Sequence, residues 1–149
     1  MIPLTLLTAG TAYVYGAVYD YKHRQIPNLV PVLVLTASIL GVIFISPENI
    51  LYVPILDRAL AGLLIGIAAL IVPTKDCLGG GDFKLMITTG FLFGMIGLGI
   101  ILIAMLIYAK AHISLVKKEK FVKIPMAAYM LPAVATYLVI LWLIPNYLQ

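Results

Sequence analysis

The sequence predicts an all-α membrane protein that crosses the bilayer several times. Hydrophobic residues make up 63% of the 149 residues and charged residues only 11%, and the mean hydropathy is +1.11. A water-soluble domain needs a larger share of polar side chains to cover its surface. The apolar residues also form continuous stretches near the length of about 20 residues that a helix needs to cross a bilayer. We therefore expect one membrane-embedded domain over residues 1–149.

Five apolar stretches carry the predicted helices: 3–19, 29–46, 54–73, 83–113 and 124–145. Four of them fit one helix each. The stretch 83–113 is too long for one ordinary span and short for two. It contains the sequence GMIGLG, with glycines at 94, 97 and 99, so we expect a break in the helix near residues 94–97.

The basic residues favour six spans. Nearly all of them lie in three connections: Lys22 and Arg24; Lys75 and Lys84; Lys110, Lys117, Lys118, Lys120 and Lys123. If 83–113 crosses the membrane twice, all three connections lie on one face. The positive-inside rule makes that face cytoplasmic and places both termini outside. Arg58, close to Asp57, is the exception to this distribution.

Composition also limits the function. A single cysteine, Cys77, excludes an internal disulfide and a multi-cysteine zinc site. Histidines and cysteines form no cluster at ligand spacing, so we expect neither a metal nor another cofactor. The net charge of +4 is attributed to membrane topology and anionic lipid, and we expect no nucleic-acid partner.

Two of the six acidic residues stand out by position. Asp20 ends the first predicted span and Asp82 begins the fourth, so the six-span arrangement places both at the cytoplasmic boundary. An ionisable group at a membrane edge is a functional candidate. A carboxylate pair can share a proton, so that one member takes a proton from water while the other polarises a carbonyl. Helix dipoles favour Asp82 as the ionised member and Asp20 as the protonated one.

Simpler interpretations of the acids stay open at this point. Asp20 and Asp82 would then only mark helix ends, with Asp82 as an N-cap. Asp76 is the main rival for the second acid, although its turn-like surroundings favour a solvated charge. The remaining acids are read as solvated: Glu48, Asp57 and Glu119.

Glycines precede Asp82 in the sequence LGGGDFKL. Gly79 and Gly81 would let an extended substrate strand approach the backbone closely. Lys84 lies two residues past Asp82, where it either holds the charge of that carboxylate or reaches lipid headgroups.

The residues after Asp20 have structural interpretations of their own. Pro27 ends any helix that runs into it, and Asn28 is placed to cap the next one. Arg24 adds a positive charge to this loop, and His23 is read as a solvated loop residue.

Together these motifs resemble the type IV prepilin and preflagellin peptidase family. The motifs are Gly79-Gly80-Gly81-Asp82 continued as GDFKL, Asp20 followed by RQIPN, and KIPMAAYMLPA before the last span. Members of this family are membrane aspartyl proteases that remove class III signal peptides. The resemblance implies that Asp20 and Asp82 are the catalytic pair. It also implies prepilin-like or preflagellin-like substrates, cut after a glycine at the cytoplasmic face of the plasma membrane.

The resemblance is to the compact archaeal form. Bacterial members carry a cysteine-paired extension and methylate the new N-terminus, and a single cysteine cannot supply those pairs, so methylation is not expected. Tyr19-Asp20 also fits presenilin-type proteases, but their Pro-Ala-Leu motif is absent. A proton- or cation-coupled carrier and a non-catalytic assembly subunit remain as alternatives. The sequence determines neither the natural substrate nor the oligomeric state.

Overall fold

The computed structural model describes residues 2–45, 52–71, 80–115 and 126–147. These residues form five helices and no strand: α1 (Ile2–His23), α2 (Leu29–Phe44), α3 (Ile55–Ile71), α4 (Gly80–Leu115) and α5 (Met126–Tyr147). Each helix covers one of the five predicted apolar stretches, so the all-α prediction is confirmed. The structure contains the long stretch as one element, α4, with an interruption described below.

Two of the described helices are long and apolar enough to cross a membrane, namely Gly80–Ala111 and Met126–Leu143. The apolar helix Leu29–Phe44 is shorter. All five helices expose large apolar side chains, for example Leu7, Ile43, Leu63, Ile96 and Trp142. An apolar surface this extensive is unfavourable in water and suits lipid. The chain therefore has the character of a membrane protein.

The interior of the bundle joins α1, α2, α4 and α5. Its fully buried apolar side chains include Tyr13, Val30, Val34, Leu85, Ile101 and Met130. One polar contact lies inside it: the hydroxyls of Tyr13 and Thr89 are 2.7 Å apart and both residues are buried. Thr89 also donates to the carbonyl oxygen of Leu85 at 2.7 Å. This contact fixes which faces of α1 and α4 point toward each other.

Helices α3 and α4 cross where both carry glycine. A Cβ atom on Gly90 would lie 3.1 Å from the carbonyl carbon of Ala61 and 3.2 Å from the nitrogen of Gly62. A Cβ atom on Gly62 would run into the ring of Phe91. The two backbones therefore approach more closely than larger residues permit. The sequence GxxxG of α3 contributes through Gly62, whereas a Cβ atom on Gly66 would meet none of the described residues of other elements within 4 Å.

Helix α4 is broken at Gly94. This residue has φ 69° and ψ −172° inside an otherwise helical segment, a combination that is open essentially to glycine alone. The break expected within GMIGLG is thus confirmed, and it lies at the first of the three glycines.

The carboxylate of Asp57 lies on the C-terminal side of the break, where the second half of α4 begins. In an unbroken helix the amide of Met95 would donate to the carbonyl oxygen four residues earlier. Here it donates to Asp57 Oδ2 at 3.2 Å. A Cβ atom on Gly94 would collide with that carboxylate. Asp57 stays partly exposed, as expected of a solvated charge, but its carboxylate also caps the second half of α4, a role that the sequence did not predict.

The guanidinium of Arg58 occupies the other side of the break. Its Nη1 donates to the carbonyl oxygens of Phe91 and Leu92, each at 3.1 Å. Both lie in the last turn before the break, where carbonyl groups lack helical donors. Its Nε donates to the carbonyl oxygen of Val53 at 2.9 Å. Arg58 is only 2% exposed. Asp57 and Arg58, which we call the α3 clasp, thus satisfy both ends of the broken helix.

Candidate active site

Asp20 lies in the last turn of α1 and is buried, with 3% of its surface exposed. Its Oδ2 accepts a hydrogen bond of 2.9 Å from the backbone amide of Ala127. Ala127 is the second residue of α5, so this amide is one of the donors that a helix leaves without an internal partner. Asp20 therefore ends one helix and caps the start of another.

The surroundings of Asp20 act on its charge in opposite directions. The residue lies just beyond the apolar stretch 3–19. Burial raises the pKa of the Asp20 carboxyl above its ordinary value, while the Ala127 amide and the positive charge of Arg24 lower it. Burial is the largest of these effects and favours the protonated acid. The N-terminus of α5 works against that preference, and the dipole reasoning from sequence did not include it.

Asp82 lies in the first turn of α4, two residues after the helix begins at Gly80. It is partly buried. Because the helix starts earlier, Asp82 is not the N-cap, and it lies where free amides and the positive end of the dipole favour a carboxylate. Gly79 and the rival acid Asp76 lie outside the described residues.

The contact between Tyr13 and Thr89 relates the faces of α1 and α4 that carry the two acids. Residues seven apart lie on the same face of a helix, about two turns or 10.5 Å along its axis. Tyr13 is seven residues before Asp20, and Thr89 is seven residues after Asp82. The two hydroxyls are 2.7 Å apart, so the helix faces that bear Asp20 and Asp82 both border on this contact.

Lys84 and Asn28 contact each other. Lys84 Nζ donates to Asn28 Oδ1 at 3.0 Å. Asn28 occupies the N-cap position of α2, but its side chain makes no capping hydrogen bond. The capping role expected for it is therefore wrong. Pro27 precedes α2 as expected, and its carbonyl oxygen accepts from the amide of Val30 at 3.0 Å.

The loop after Asp20 begins with an unusual backbone. Arg24 has φ 55° and is the one described residue other than glycine with a positive φ. Its amide donates to the carbonyl oxygen of Asp20 at 2.8 Å, which is the bond that ends a helix in a left-handed cap, usually with glycine at this position. The Arg24 guanidinium lies 5.9 Å from the ring centre of Tyr21. His23 is exposed and stacks on Tyr19 at 4.4 Å between ring centres.

Sequence reasoning missed three groups at this site: the amide of Ala127, Tyr13 and Thr89. The sequence KIPMAAYMLPA carried a signal for the first, since a proline just before an apolar run is typical of a helix start. The matching seven-residue spacings of Tyr13 to Asp20 and of Asp82 to Thr89 carried a signal for the other two. No sequence pattern showed that Tyr13 and Thr89 contact each other.

This end of the bundle thus collects a buried acid, a second acid at a helix N-terminus, and the amide donor of Ala127. Two carboxyl groups in such different surroundings can divide the roles of acid and base. Within 2–45, 52–71, 80–115 and 126–147, histidine, cysteine and carboxylate side chains form no group of three that could hold a metal ion.

Comparison with known families agrees with these features. Residues 7–113 match the model of the type IV leader peptidase family, a segment that includes both acids and most of the described bundle. Comparison with curated proteins and with solved structures finds no match. With a match over most of its length, the chain belongs to the type IV leader peptidase family.

Proposed function

We propose that the chain is a membrane aspartyl endopeptidase that uses Asp20 and Asp82 to remove class III signal peptides from prepilin-like or preflagellin-like proteins. The observation that carries the proposal is the 2.7 Å contact between Tyr13 and Thr89. It supports a common cleft for the two acids, because each hydroxyl lies on the same helix face as one of them. Family membership supports the reaction class.

In the proposed reaction the two acids act as a pair. The carboxylate of Asp82 accepts a proton from water as the water oxygen attacks the scissile carbonyl carbon. Protonated Asp20 gives its proton to the carbonyl oxygen. When the tetrahedral diol collapses, Asp82 protonates the leaving nitrogen and the carbon–nitrogen bond breaks. One of the two hydroxyls of the diol returns its proton to Asp20, which leaves the new carboxylic acid.

The assignment of the protons follows from the surroundings of the two acids. Burial raises the pKa of Asp20, which favours its role as the protonated member that donates to the carbonyl oxygen. Asp82 lies in the first turn of α4, where the dipole suits a base. The pair titrates jointly, so the proton belongs to the site as a whole until one member is removed.

The proposed topology has six spans, both termini outside and the active site at the cytoplasmic face. The break at Gly94 supports two crossings within residues 83–113. In a Cys77→Ser background, cysteines introduced at positions 22, 80 and 118 should be shielded from an impermeant thiol reagent in intact cells, and those at 48 and 148 should react. Reaction at 118 without reaction at 80 would contradict the six-span arrangement.

A direct test of the function uses the purified chain in detergent. The substrate is a synthetic peptide with a basic residue, a glycine and then an apolar tail, and the products are weighed by mass spectrometry. We expect one cut, directly after the glycine. A peptide with valine in place of that glycine is the matched control and should stay intact. An intact glycine peptide, with a folded protein shown by a cooperative thermal transition, would reject the peptidase.

The carrier alternative makes a different prediction. Transport sites lie near the bilayer midplane, whereas Asp20 is in the last turn of α1 and Asp82 in the first turn of α4. Positions at helix ends favour chemistry on a peptide that reaches the membrane surface. Proton flux into vesicles containing the protein, without peptide cleavage, would favour the carrier.

A further inference from the structure

The turn between α1 and α2, residues 24–28, follows the last turn of α1, which carries Asp20, and contacts the start of α4. It begins where the amide of Arg24 bonds to the carbonyl oxygen of Asp20. It ends at Asn28, the residue before α2. The turn is therefore attached by a backbone hydrogen bond to the helix end that carries Asp20.

The same turn contacts the first turn of α4 on both sides of Asp82. On one side, a Cβ atom on Gly81 would lie 3.1 Å from both the Cβ and the carbonyl oxygen of Ile26, so the two backbones are already close. On the other side, Lys84 Nζ donates to Asn28 Oδ1 at 3.0 Å. Asp82 lies between these two contacts in the chain.

The hydrogen bond between Lys84 and Asn28 is exposed. An exposed bond of this kind adds little to the overall stability of a fold. Asn28 also makes no capping hydrogen bond with its side chain, although it occupies the N-cap position of α2. Its side chain therefore joins the turn to α4 and does not cap the start of α2.

We propose that the turn 24–28 positions Asp82 relative to Asp20. Asn28 and Lys84 are the positioning residues, and their hydrogen bond, which we call the latch, joins this turn to α4. The inference rests on the proposed function of the acid pair. It gives Lys84 a role through Asn28, distinct from neutralising Asp82 and from binding lipid.

The kinetic test compares Asn28→Ala, Lys84→Met and the double variant. A latch predicts that each single change lowers kcat about tenfold with little change in KM, because Asp82 is then held less closely in its catalytic position. The double variant should be no slower than either single one. Lys84→Arg and Asn28→Asp, which keep a donor and an acceptor, should recover most of the rate.

Thr36→Ala is the matched control. It removes another exposed hydrogen bond of α2, from Thr36 Oγ1 to the carbonyl oxygen of Val32 at 2.9 Å, and should leave kcat unchanged. If Lys84→Met slows the enzyme while Asn28→Ala does not, or if the two losses multiply, Lys84 acts on Asp82 or on the substrate and the latch is rejected.

A distance measurement tests the latch without any activity. Spin labels are placed in the Cys77→Ser chain at Val18, which is 53% exposed, and at Gly80, where a Cβ atom would meet none of the described residues within 4 Å. Double electron–electron resonance should give a narrow distribution of distances between the two labels, and this distribution should broaden with Asn28→Ala and with Lys84→Met. Thr36→Ala should leave it narrow. An unchanged distribution in both latch variants would overturn the inference, even if the protein cleaved no peptide.

Discussion

Replacing Arg58 by methionine tests how the break in α4 is held. The change removes the guanidinium and keeps most of the apolar stem. Phe91 retains one donor, because the hydroxyl of Ser38 bonds to its carbonyl oxygen at 2.6 Å. The carbonyl oxygens of Leu92 and Val53 lose the bonds that Arg58 gives them.

The magnitude follows from those two orphaned acceptors. The bond to Leu92 is buried and the bond to Val53 is part-buried. A buried group left without a partner costs about 1–3 kcal/mol, a part-buried one costs less because water can reach it, and removal of a desolvated charge returns part of that cost. We expect Arg58→Met to lower the free energy of unfolding by about 2–4 kcal/mol. That is about 30-fold or more in the unfolding equilibrium constant, at roughly 1.4 kcal/mol per tenfold.

The assay is equilibrium unfolding in mixed micelles with a rising fraction of denaturing detergent, followed by circular dichroism. Lys110→Met is the matched control, because it removes the same charge from an exposed position of α4. It should change stability by less than about 0.5 kcal/mol. Equal stability of the Arg58 and Lys110 variants would refute the role assigned to the α3 clasp.

Three further predictions concern the break and the acid pair. Gly94→Ala should lower the free energy of unfolding by about 1–3 kcal/mol through its backbone alone, and by more because the methyl group meets Asp57; stability equal to the parent chain would contradict the observed break. Asp20→Asn should raise the thermal midpoint at neutral pH, because burial raises the folded-state pKa of Asp20 above its unfolded-state pKa. The aspartate therefore costs stability at any pH above its ordinary pKa, whether it is protonated or ionised in the folded chain. The gain should disappear as the pH falls below the ordinary value of an aspartate, and a gain that persists there would contradict its electrostatic origin. In vibrational difference spectra at working pH, the protonated-carboxyl band should be lost with Asp20→Asn and kept with Asp82→Asn; the reverse would exchange the two roles.

The helices were largely predictable because membrane length and apolar composition leave few choices. Each apolar stretch became a helix, and the break fell within GMIGLG. Glycine-rich sequence marks where a long helix can be interrupted, since only glycine adopts the backbone found at Gly94. Sequence alone did not show what satisfies the freed backbone groups there.

The tertiary partners were not predictable for a physical reason. Arg58 and Asp57 reach groups more than thirty residues away in the chain, and local patterns carry no trace of such contacts. Their charges, next to a predicted outer loop, fitted solvation equally well. The tertiary fold supplies what composition could not show, namely buried acceptors for Arg58 and the amide of Met95 as a donor to Asp57.

The candidate site divides in the same way. Asp20 and Asp82 stood out because a carboxylate at a membrane edge is costly. The partner of Asp20, the amide of Ala127, lies 107 residues away and is a backbone group, so no side-chain motif identifies it. Lys84 was read against Asp82, its near neighbour, whereas its hydrogen bond goes to Asn28 across 56 residues.

The central claim is that Asp20 and Asp82 form one catalytic pair, and peptide cleavage by three variants tests it most directly. Asp20→Asn, Asp82→Asn and the double variant are purified in detergent and assayed by mass spectrometry, with thermal unfolding as the check on folding. Asp76→Asn is the matched control and should keep most of the activity. Each single change should abolish cleavage, and the double variant should be no worse, because the two groups act as a unit. A folded Asp82→Asn protein that still cuts the peptide after its glycine would contradict the account.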